Sequence, residues 1–556
     1  MERKTFFIDQ HGCAKNQVDG ELIVSLLCKK DYAQTFNPEE ADLIIVNSCG
    51  FIESAKTESL NAVLSARQMY PKAKILLAGC LAERYAGDLA ESLPEADGIF
   101  GNGDLSQIYK VLDPLMAGER PVLKPDQKGV CGGDRDVMLS FAGAAYVKIT
   151  EGCNNRCSFC AIPIIRGELR SRPADDIVSE IKKLVAQGVY EINLIGQDLA
   201  AYGTGAGDNP FGWGRTLLPA GTPGYVGLSE GEVSPPAATS FPPTPSPRDE
   251  VPKTQESFPR VFGENSVVSD SERTTPPELL GESGLCILLK KISALEGTFR
   301  VRLLYIHPDH FNADILPVIK ADARILPYFD IPFQSGDDQT IRAMNRVGSA
   351  EAYTALIEKI RSFFPEAAIR TTFLTGFPGE TDEAAANTQK FLRAIQPDWS
   401  GCFPYSKEDD TPAHDFKKQV PKKTAQARAN ALTEIQAGIT RERLAKRCGK
   451  DYDVLVEEVL AANAEAPDEG LAIGRAWFQA PEVDGSVVIR YDRGDKSALA
   501  AVQTGRLVRA HVVSSGDVDL NADFVSDSPL NKTIAKSALH FAQDMQPQSF
   551  RTESAE

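Results

Sequence analysis

Short strand-like runs that alternate with helical patterns most limit how this 556-residue chain can fold. From residue 4 to about residue 112, the runs KTFFIDQ, DLIIVNS and KILLAGC are separated by helical patterns, one of them around Glu21–Lys29. Alternation of this kind is typical of βαβ units, which place their strands in a parallel sheet. We therefore predict an open parallel α/β domain over residues 1–120.

A second alternating series begins at AAYVKIT, after a connector rich in Gly, Asp and Lys at about residues 124–136. Its later strand-like runs are VYEINLIG, FRVRLLYI, YFDIPFQ, AIRTTFLTGF and WSGCFPY. Six strands with crossover helices predict a partial (βα)6 barrel over residues 139–447, with its active site at the carboxyl ends of the strands. Residues 204–282 hold 13 of the 35 prolines and lack an apolar period, so we expect a disordered insertion there.

The last part of the chain changes to short β-like runs, DYDVLVEEVL, GLAIGRAWFQA, GSVVIRY and RLVRAHVVSS. This pattern predicts a small β-barrel of the oligonucleotide-binding kind over residues 448–527, followed by a polar, frayed tail over residues 528–556. Residues 450–527 carry 15 acidic and 7 Lys or Arg side chains, and the whole chain has a formal charge of -17. Because nucleic-acid binding depends on Lys and Arg, this charge favours a basic partner and no stable nucleic-acid binding.

The strongest functional signal is GCNNRCSFC, which contains Cys153, Cys157 and Cys160 and directly follows AYVKIT. Three thiolates at this spacing can hold three irons of a 4Fe-4S cube and leave the fourth iron open. An open iron can chelate the methionine moiety of S-adenosylmethionine, whose reductive cleavage gives a 5'-deoxyadenosyl radical. Structural zinc prefers four ligands, and no fourth Cys or His has a suitable local spacing. A thioredoxin-like pair would leave Cys153 unexplained.

Cys13, Cys49 and Cys80 each follow a predicted strand of the first domain. The carboxyl ends of neighbouring parallel strands converge, so the three thiols can meet in one crevice. Buried core cysteine explains any one of them but explains poorly why all three lie at strand ends. The pattern predicts a second three-cysteine site. Five further cysteines look isolated, namely Cys28, Cys131, Cys286, Cys402 and Cys448.

Eleven cysteines without an export signal, and no long apolar run, indicate a cytoplasmic protein with no membrane contact. Other candidate site residues lie at predicted strand ends. Phe159 packs near the adenine or is a core aromatic, and Gly376, Gly379 and Glu380 of TGFPGET bind the cofactor or form a tight strand–helix turn. Gln197, Asp198 and Gln334 face the barrel mouth in this prediction. Arg166, Arg170 and Arg172 clamp a carboxylate or form a solvated face, and His307 with His310 is incidental.

Together, the motifs HGCAKNQVDGE, NSCGFIESA, AGCLAER, EGCNNRCSFCAIPIIRGELRSRP and TTFLTGFPGETDEA resemble those of the methylthiotransferase family of radical S-adenosylmethionine enzymes. The C-terminal domain resembles the TRAM module of that family. The resemblance implies that Cys153, Cys157 and Cys160 bind the radical-generating cluster. It also implies that Cys13, Cys49 and Cys80 bind an auxiliary 4Fe-4S cluster that carries sulfur. One S-adenosylmethionine then supplies a methyl group and another supplies the radical.

Two branches of this family differ in substrate, one modifying adenosine in tRNA and the other an aspartate of the twelfth small-subunit ribosomal protein. NSCGFIESA, INLIGQDLAAYG and GRAWFQAPEVDGSVVI are similar to the second branch. The acidic last domain also suits a basic ribosomal protein, either free or on the small subunit. An electron donor and a sulfur source are then required as partners. A tRNA methylthiotransferase and a non-catalytic iron–sulfur scaffold remain the alternatives.

Overall fold

The computed structural model describes residues 3–127, 129–130, 132–133, 135, 137–212, 281–462 and 466–544. It contains a parallel α/β sheet, a second parallel sheet that forms a partial barrel, and a closed β-barrel. These three parts follow one another along the chain and confirm the predicted fold class. In the portion just defined, no helix has the length and apolarity needed to cross a membrane.

The first sheet has six parallel strands in the order β2-β1-β3-β4-β5-β6. Its strands are β1 (Thr5–Gln10), β2 (Ala33–Gln34), β3 (Leu43–Ser48), β4 (Lys74–Gly79), β5 (Gly98–Phe100) and β6 (Val122–Leu123). Its helices are α1 (Ala14–Lys29), α2 (Glu53–Met69), α3 (Cys80–Ser92) and α4 (Tyr109–Met116). Every residue of β3 is buried, because helices cover both faces of the sheet.

The second sheet is also parallel, in the order β14-β13-β12-β11-β10-β7. The strands of this part are β7 (Ala144–Lys148), β8 (Thr150–Glu151), β9 (Arg170–Ser171), β10 (Glu191–Ile195), β11 (Arg300–Leu303), β12 (Ile325–Asp330), β13 (Ala368–Thr375) and β14 (Trp399–Pro404). Its helices are α5 (Ile162–Arg166), α6 (Ala174–Ala186), α7 (Gly284–Ser293), α8 (Ile315–Ala321), α9 (Asp338–Ala343), α10 (Ala350–Phe363), α11 (Asp382–Ile395) and α12 (Lys422–Ala445). The short strands β8 and β9 pair with each other and flank the GCNNRCSFC segment.

The C-terminal barrel closes in the order β15-β16-β17-β19-β18. Its elements are β15 (Asp451–Val459), β16 (Glu469–Arg475), β17 (Val487–Asp492), α13 (Lys496–Ala501), β18 (Leu507–Ser515), β19 (Leu520–Asp527) and a final helix, α14 (Leu530–Asp544). Closure leaves the barrel no free sheet edge.

The predicted frayed tail over residues 528–556 is wrong for residues 530–544, because they form α14, which packs on α6 of the partial barrel and reaches the C-terminal barrel. Leu530 and Ile534 pack against Ala144, Tyr190, Leu455 and Leu507, and Phe541 is buried. These apolar residues recur at helical spacing and form a buried stripe on one face of the helix. The segment is polar on average, so its composition alone does not reveal this stripe. Residues 545–556 lie outside the described residues.

The predicted insertion over residues 204–282 also begins too early. Asp208 accepts hydrogen bonds from the backbone N–H groups of Ser171 and Gly205, and Phe211 packs edge-on against Tyr202. Residues 204–212 therefore belong to the ordered rim of the partial barrel. At the other end of the prediction, Glu282 is described and pairs with Lys290 (2.5 Å), and residues 213–280 fall outside the described residues.

Candidate functional site

The three cysteines of the first domain meet at one edge of its sheet. Cys13 caps the start of α1 after β1, Cys49 directly follows β3, and Cys80 begins α3 directly after β4. Strands β1, β3 and β4 are neighbours in the sheet, so their carboxyl ends place the three thiols together. The chain is closely packed here, since a Cβ added to Gly12 would lie 3.4 Å from the Sγ of Cys49.

Electrostatic coupling in this triad shows that the thiols share one environment. Burial, together with the neighbouring Cys80, raises the pKa of Cys49 to about 12. Burial likewise raises the pKa of Cys80. Desolvation by the surrounding protein would raise the pKa of Cys13, but the positive charges of Lys15 and Arg166 outweigh this effect, so the pKa of Cys13 is lowered. The thiolate forms of Cys49 and Cys80 are thus disfavoured unless a cation is bound, and metal binding supplies such a cation.

The second triad lies in the loop between β8 and α5. The backbone N–H of Cys153 donates to the carbonyl of Gly167 (3.0 Å), and that of Cys160 donates to the carbonyl of Cys157 (3.0 Å). Burial and the neighbouring Cys157 raise the pKa of Cys160 to about 12. Burial and the charge of Asp198 raise that of Cys153. The three thiols are thus held close at the carboxyl end of the barrel strands.

Both donor sets fit a 4Fe-4S cluster with one iron left open, because each supplies three cysteines, from neighbouring strand ends in one case and from a single loop in the other. The rim of the second triad also contains an unsatisfied buried acceptor. Gln197 donates from Nε2 to Glu151 (3.3 Å), while its Oε1 is buried without a partner. A buried amide oxygen that lacks a donor is suited to a polar ligand.

The two triads face each other across the domain boundary. Cys80 packs against Ala161 and Ile165, which lie one and five residues after Cys160 in the chain. Lys15 is buried in the same region, where its Nζ donates to the carbonyl of Gly196 (3.2 Å) and lies 3.5 Å from the centre of the Tyr305 ring. The first triad therefore lies next to the segment that carries the second triad.

The prediction that His307 and His310 are incidental is wrong. Both follow β11, and each places a ring nitrogen within 4.8 Å of a carboxylate oxygen of Asp198. Asp198 accepts from His310 (2.6 Å), from the side chain of Asn155 (3.1 Å) and from the backbone N–H of His307 (3.1 Å). Because these partners already use both carboxylate oxygens, the group acts as a hydrogen-bonded brace.

His307 reaches from this brace to the second triad. Its Nδ1 accepts the backbone N–H of Asp309 (3.3 Å), so the proton of the neutral ring is on Nε2, and Nε2 lies 3.9 Å from the Sγ of Cys157. Burial lowers the pKa of His307 well below its usual value and keeps the ring neutral. The strand-end argument applied to the cysteines would have found this histidine.

Of the predicted cofactor contacts, Phe159 lies on the rim of the site, whereas Gly376, Gly379 and Glu380 lie in the turn after β13. Phe159 is half-buried and packs on the cluster of Met344, Phe377 and Ala413, so it lies on the rim. Glu380 accepts from the backbone N–H of Gly376 (2.5 Å) and from Arg428 (2.8 Å), and these contacts shape the turn after β13. A Cβ added to Gly376 would lie 2.2 Å from the Cβ of Ala425, whereas Gly379 has open space. Gln334 has a left-handed backbone and bridges to Phe373.

The interpretation of the arginine run as a solvated face is wrong for two of its three members. Arg166 and Arg172 are buried, and only Arg170 is partly exposed. Arg172 forms an ion pair with Glu180. Arg135, a buried residue of the connector, pairs with Glu180 and with Glu21 of α1. Buried cations need such partners, and those of Arg135 come from distant parts of the chain.

The remaining cysteines lie outside both triads. Cys28, Cys286, Cys402 and Cys448 are free thiols in separate regions of the fold. Cys131 lies outside the described residues.

Comparison with known proteins agrees with this architecture. Residues 5–101 match the uncharacterized protein family UPF0004, residues 147–206 and 240–392 match the radical SAM superfamily, and residues 448–525 match the TRAM domain. A radical SAM domain implies a 4Fe-4S cluster and S-adenosylmethionine. Among solved structures, the radical S-adenosylmethionine methyltransferase TsrM from Kitasatospora setae aligns with a TM-score of 0.45 and 13% identity, covering 74% of this chain and 75% of that one.

Curated relatives cover almost the whole chain. The ribosomal protein uS12 methylthiotransferase RimO of Treponema denticola is 48% identical, covering 93% of this chain and 99% of its own length. The protein of the same name from Carboxydothermus hydrogenoformans is 32% identical, covering 94% of this chain and 100% of its own. The chain therefore belongs to the RimO family of radical SAM methylthiotransferases.

Proposed function

We propose that this enzyme adds a methylthio group to the β-carbon of an aspartate in ribosomal protein uS12. The observation that carries the proposal is the contact of Cys80, in the first triad, with Ala161 and Ile165, which lie one and five residues after Cys160 of the second triad. A reaction that forms a carbon radical and then adds sulfur to it needs both functions within one pocket, because the radical must not reach water or another side chain. The names of the curated relatives support uS12 as the substrate.

In this proposal Cys153, Cys157 and Cys160 hold the radical-generating cluster, and Cys13, Cys49 and Cys80 hold a second 4Fe-4S cluster. When bound, the two clusters and S-adenosylmethionine supply the electron, the 5'-deoxyadenosyl radical, the methyl group and the sulfur. Phe159, Gln197, Gly376, Gly379 and Glu380 are the proposed contacts or supports for S-adenosylmethionine. No other side chain is required as a general acid or base.

The protein's own part in the reaction is to bind and orient. The free Oε1 of Gln197 offers an acceptor to the amine or hydroxyl groups of a ligand at the rim. Asp198 fixes Asn155 and the residues after β11, which sets the position of the loop that carries Cys153. The Lys15 ammonium is fixed by Gly196 and Tyr305 and adds a positive charge near the anionic groups of both sites.

The charge of the C-terminal barrel supports a basic protein as the substrate rather than tRNA. Five of the seven Lys and Arg side chains between residues 450 and 527 already pair with carboxylates. They are Lys450, Arg475, Arg490, Arg506 and Arg509. Few cations are left for phosphate groups, whereas unpaired acidic side chains remain to attract a basic ribosomal protein. Such a substrate, free or on the small ribosomal subunit, places the reaction in the cytoplasm.

The reaction also requires an external electron donor and a source of sulfur, which we propose as transient partners. The test is a paired anaerobic assay with reconstituted enzyme, reductant and S-adenosylmethionine. One reaction receives uS12 and the other unmodified tRNA, and both are read by mass spectrometry. We expect a methylthio adduct on an aspartate of uS12 alone. An adduct only on tRNA adenosine would refute the proposal, and deoxyadenosine release without any adduct would favour a different radical reaction.

A further inference from the structure

Four buried charges form a closed ring at the boundary between the first two domains. Lys148 pairs with Asp19 (2.5 Å) and with Glu151 (2.6 Å), and Arg166 pairs with the same two carboxylates (both 2.9 Å). All four side chains are at most 7% exposed. Two cations and two anions cancel, so the ring satisfies the charges without help from solvent.

Arg166 also has N–H donors that the ring does not use. Its Nη1 serves Asp19 and Glu151, whereas its Nη2 donates to the Sγ of Cys80 at 3.2 Å. The guanidinium is a planar fork, so fixing one arm of it also fixes the direction of the other. The ring therefore aims an N–H group at one thiol of the first triad. Asn102 is a weaker, neutral donor to the same sulfur at 3.4 Å.

Arg166 does not come from the domain that carries Cys80. It ends α5, six residues after Cys160, and thus belongs to the segment that forms the second triad. Ala161 and Ile165 of the same segment pack on Cys80. The first cysteine site is therefore built partly by the segment that carries the second.

We propose that Arg166 is a positioning residue for the cluster at Cys13, Cys49 and Cys80. Its N–H···S hydrogen bond holds the Cys80 thiolate in place and raises the reduction potential of that cluster. A hydrogen bond to a ligating sulfur favours the reduced, more negative state of a cluster. The proposal rests on the proposed function, because it requires that these three cysteines bind a cluster.

The test isolates this cluster in the full-length chain. A background variant with Cys153→Ala, Cys157→Ala and Cys160→Ala leaves only the first triad to bind iron, and its reduction is followed by a redox titration with electron paramagnetic resonance detection. Adding Arg166→Met should lower the midpoint potential. We expect at least a tenfold fall in the ratio of reduced to oxidised cluster at a fixed potential, which is about 59 mV for a one-electron couple.

Arg172→Met in the same background is the matched control. Arg172 is also a buried arginine of this segment, but its partners are Glu180 and the carbonyl of Asp176. Its removal should leave the potential unchanged. Circular dichroism and iron content check that each variant folds and binds its cluster.

A second variant covers the case in which Arg166→Met does not fold. Arg166→Lys keeps the positive charge in the ring but lacks the second N–H group that reaches the Sγ of Cys80, so it should also lower the midpoint potential of the cluster. The proposal is overturned if Arg166→Lys, or a folded Arg166→Met, has the potential of the background, or if Arg172→Met shifts it equally. If the background variant binds no iron at all, the proposed second cluster fails instead.

Discussion

Glu191 joins the C-terminal barrel to the partial barrel, and its removal is a severe test of the interdomain contact. The carboxylate is fully buried and accepts from Arg300 (2.6 Å), Arg302 (3.1 Å) and Arg475 (2.8 Å). Arg475 belongs to β16, whereas the other two arginines belong to β11. Although burial opposes its charge, the three guanidinium groups hold the pKa of Glu191 well below its usual range.

Glu191→Gln would leave three buried cations around a neutral amide. Removing one partner of a buried ion pair costs about 3–5 kcal/mol, and one anion serving three cations belongs at the upper end of that range. For a domain of this size the loss corresponds to a fall in Tm of roughly 6–20 °C. The pKa of Glu191 is depressed, so its stabilisation is present above the unfolded value of about 4.3 and is lost as the pH falls toward the folded value.

The assay is thermal unfolding with hydrogen exchange of the C-terminal barrel, at pH 7 and again at about pH 4. Glu457→Gln is the control. Of the three arginines around Glu191, Glu457 contacts only Arg475, and Arg475 still pairs with Glu191 in that variant. Glu191 begins β10, at the end opposite the cysteine triads, so deoxyadenosine release should survive at low temperature. A fall in Tm no larger than that of Glu457→Gln would refute the reasoning.

Gly12, Asp198 and Asp484 each allow a single contact or charge to be tested by one substitution. Gly12→Ala places a Cβ 3.0 Å from the Cβ of Cys49 at a φ of 86°, so we expect loss of about half of the bound iron, measured by elemental analysis, with the second triad intact. Asp198→Asn replaces an acceptor oxygen by an amide donor that faces the donors of Asn155 and His310. Deoxyadenosine release, measured by chromatography, should therefore fall about 10–100-fold. An unchanged rate would refute the role of Asp198 as a brace. Burial raises the pKa of Asp484 to about 6, so its folded form holds a proton that the unfolded chain releases and stability falls as pH rises from about 4 to 6. Asp484→Asn should therefore gain up to about 3 kcal/mol over the wild type at pH 7 but not at pH 4, and equal gains at both pH values would contradict this assignment.

The fold class and both cysteine triads could be predicted because their signals are local. Strand-like runs such as LIIVNS and ILLAG are buried on both faces and end directly at Cys49 and Cys80. The rule that parallel strands converge at their carboxyl ends then brings distant cysteines together without any knowledge of the packing. The same rule applied to the segment after β11 would have included His307.

The buried charges could not be predicted because their partners come from other elements of the fold, some near and some far in the sequence. Arg166 and Arg172 look like solvent-facing residues until α1 and α6 supply carboxylates to them. Lys15 likewise depends on Gly196 and Tyr305 from the partial barrel. A charge is buried only if its partner is also present, and a single sequence does not show which carboxylate that is.

The central claim is that one chain holds two cysteine sites with separate tasks, radical formation and sulfur supply. It is tested most directly by reconstituting the variant Cys13→Ala, Cys49→Ala, Cys80→Ala with iron, sulfide, reductant, S-adenosylmethionine and uS12. The account predicts about four irons per chain instead of about eight, continued release of deoxyadenosine, and no methylthio adduct. Wild-type iron content, or a methylthio adduct formed at the wild-type level, would contradict it.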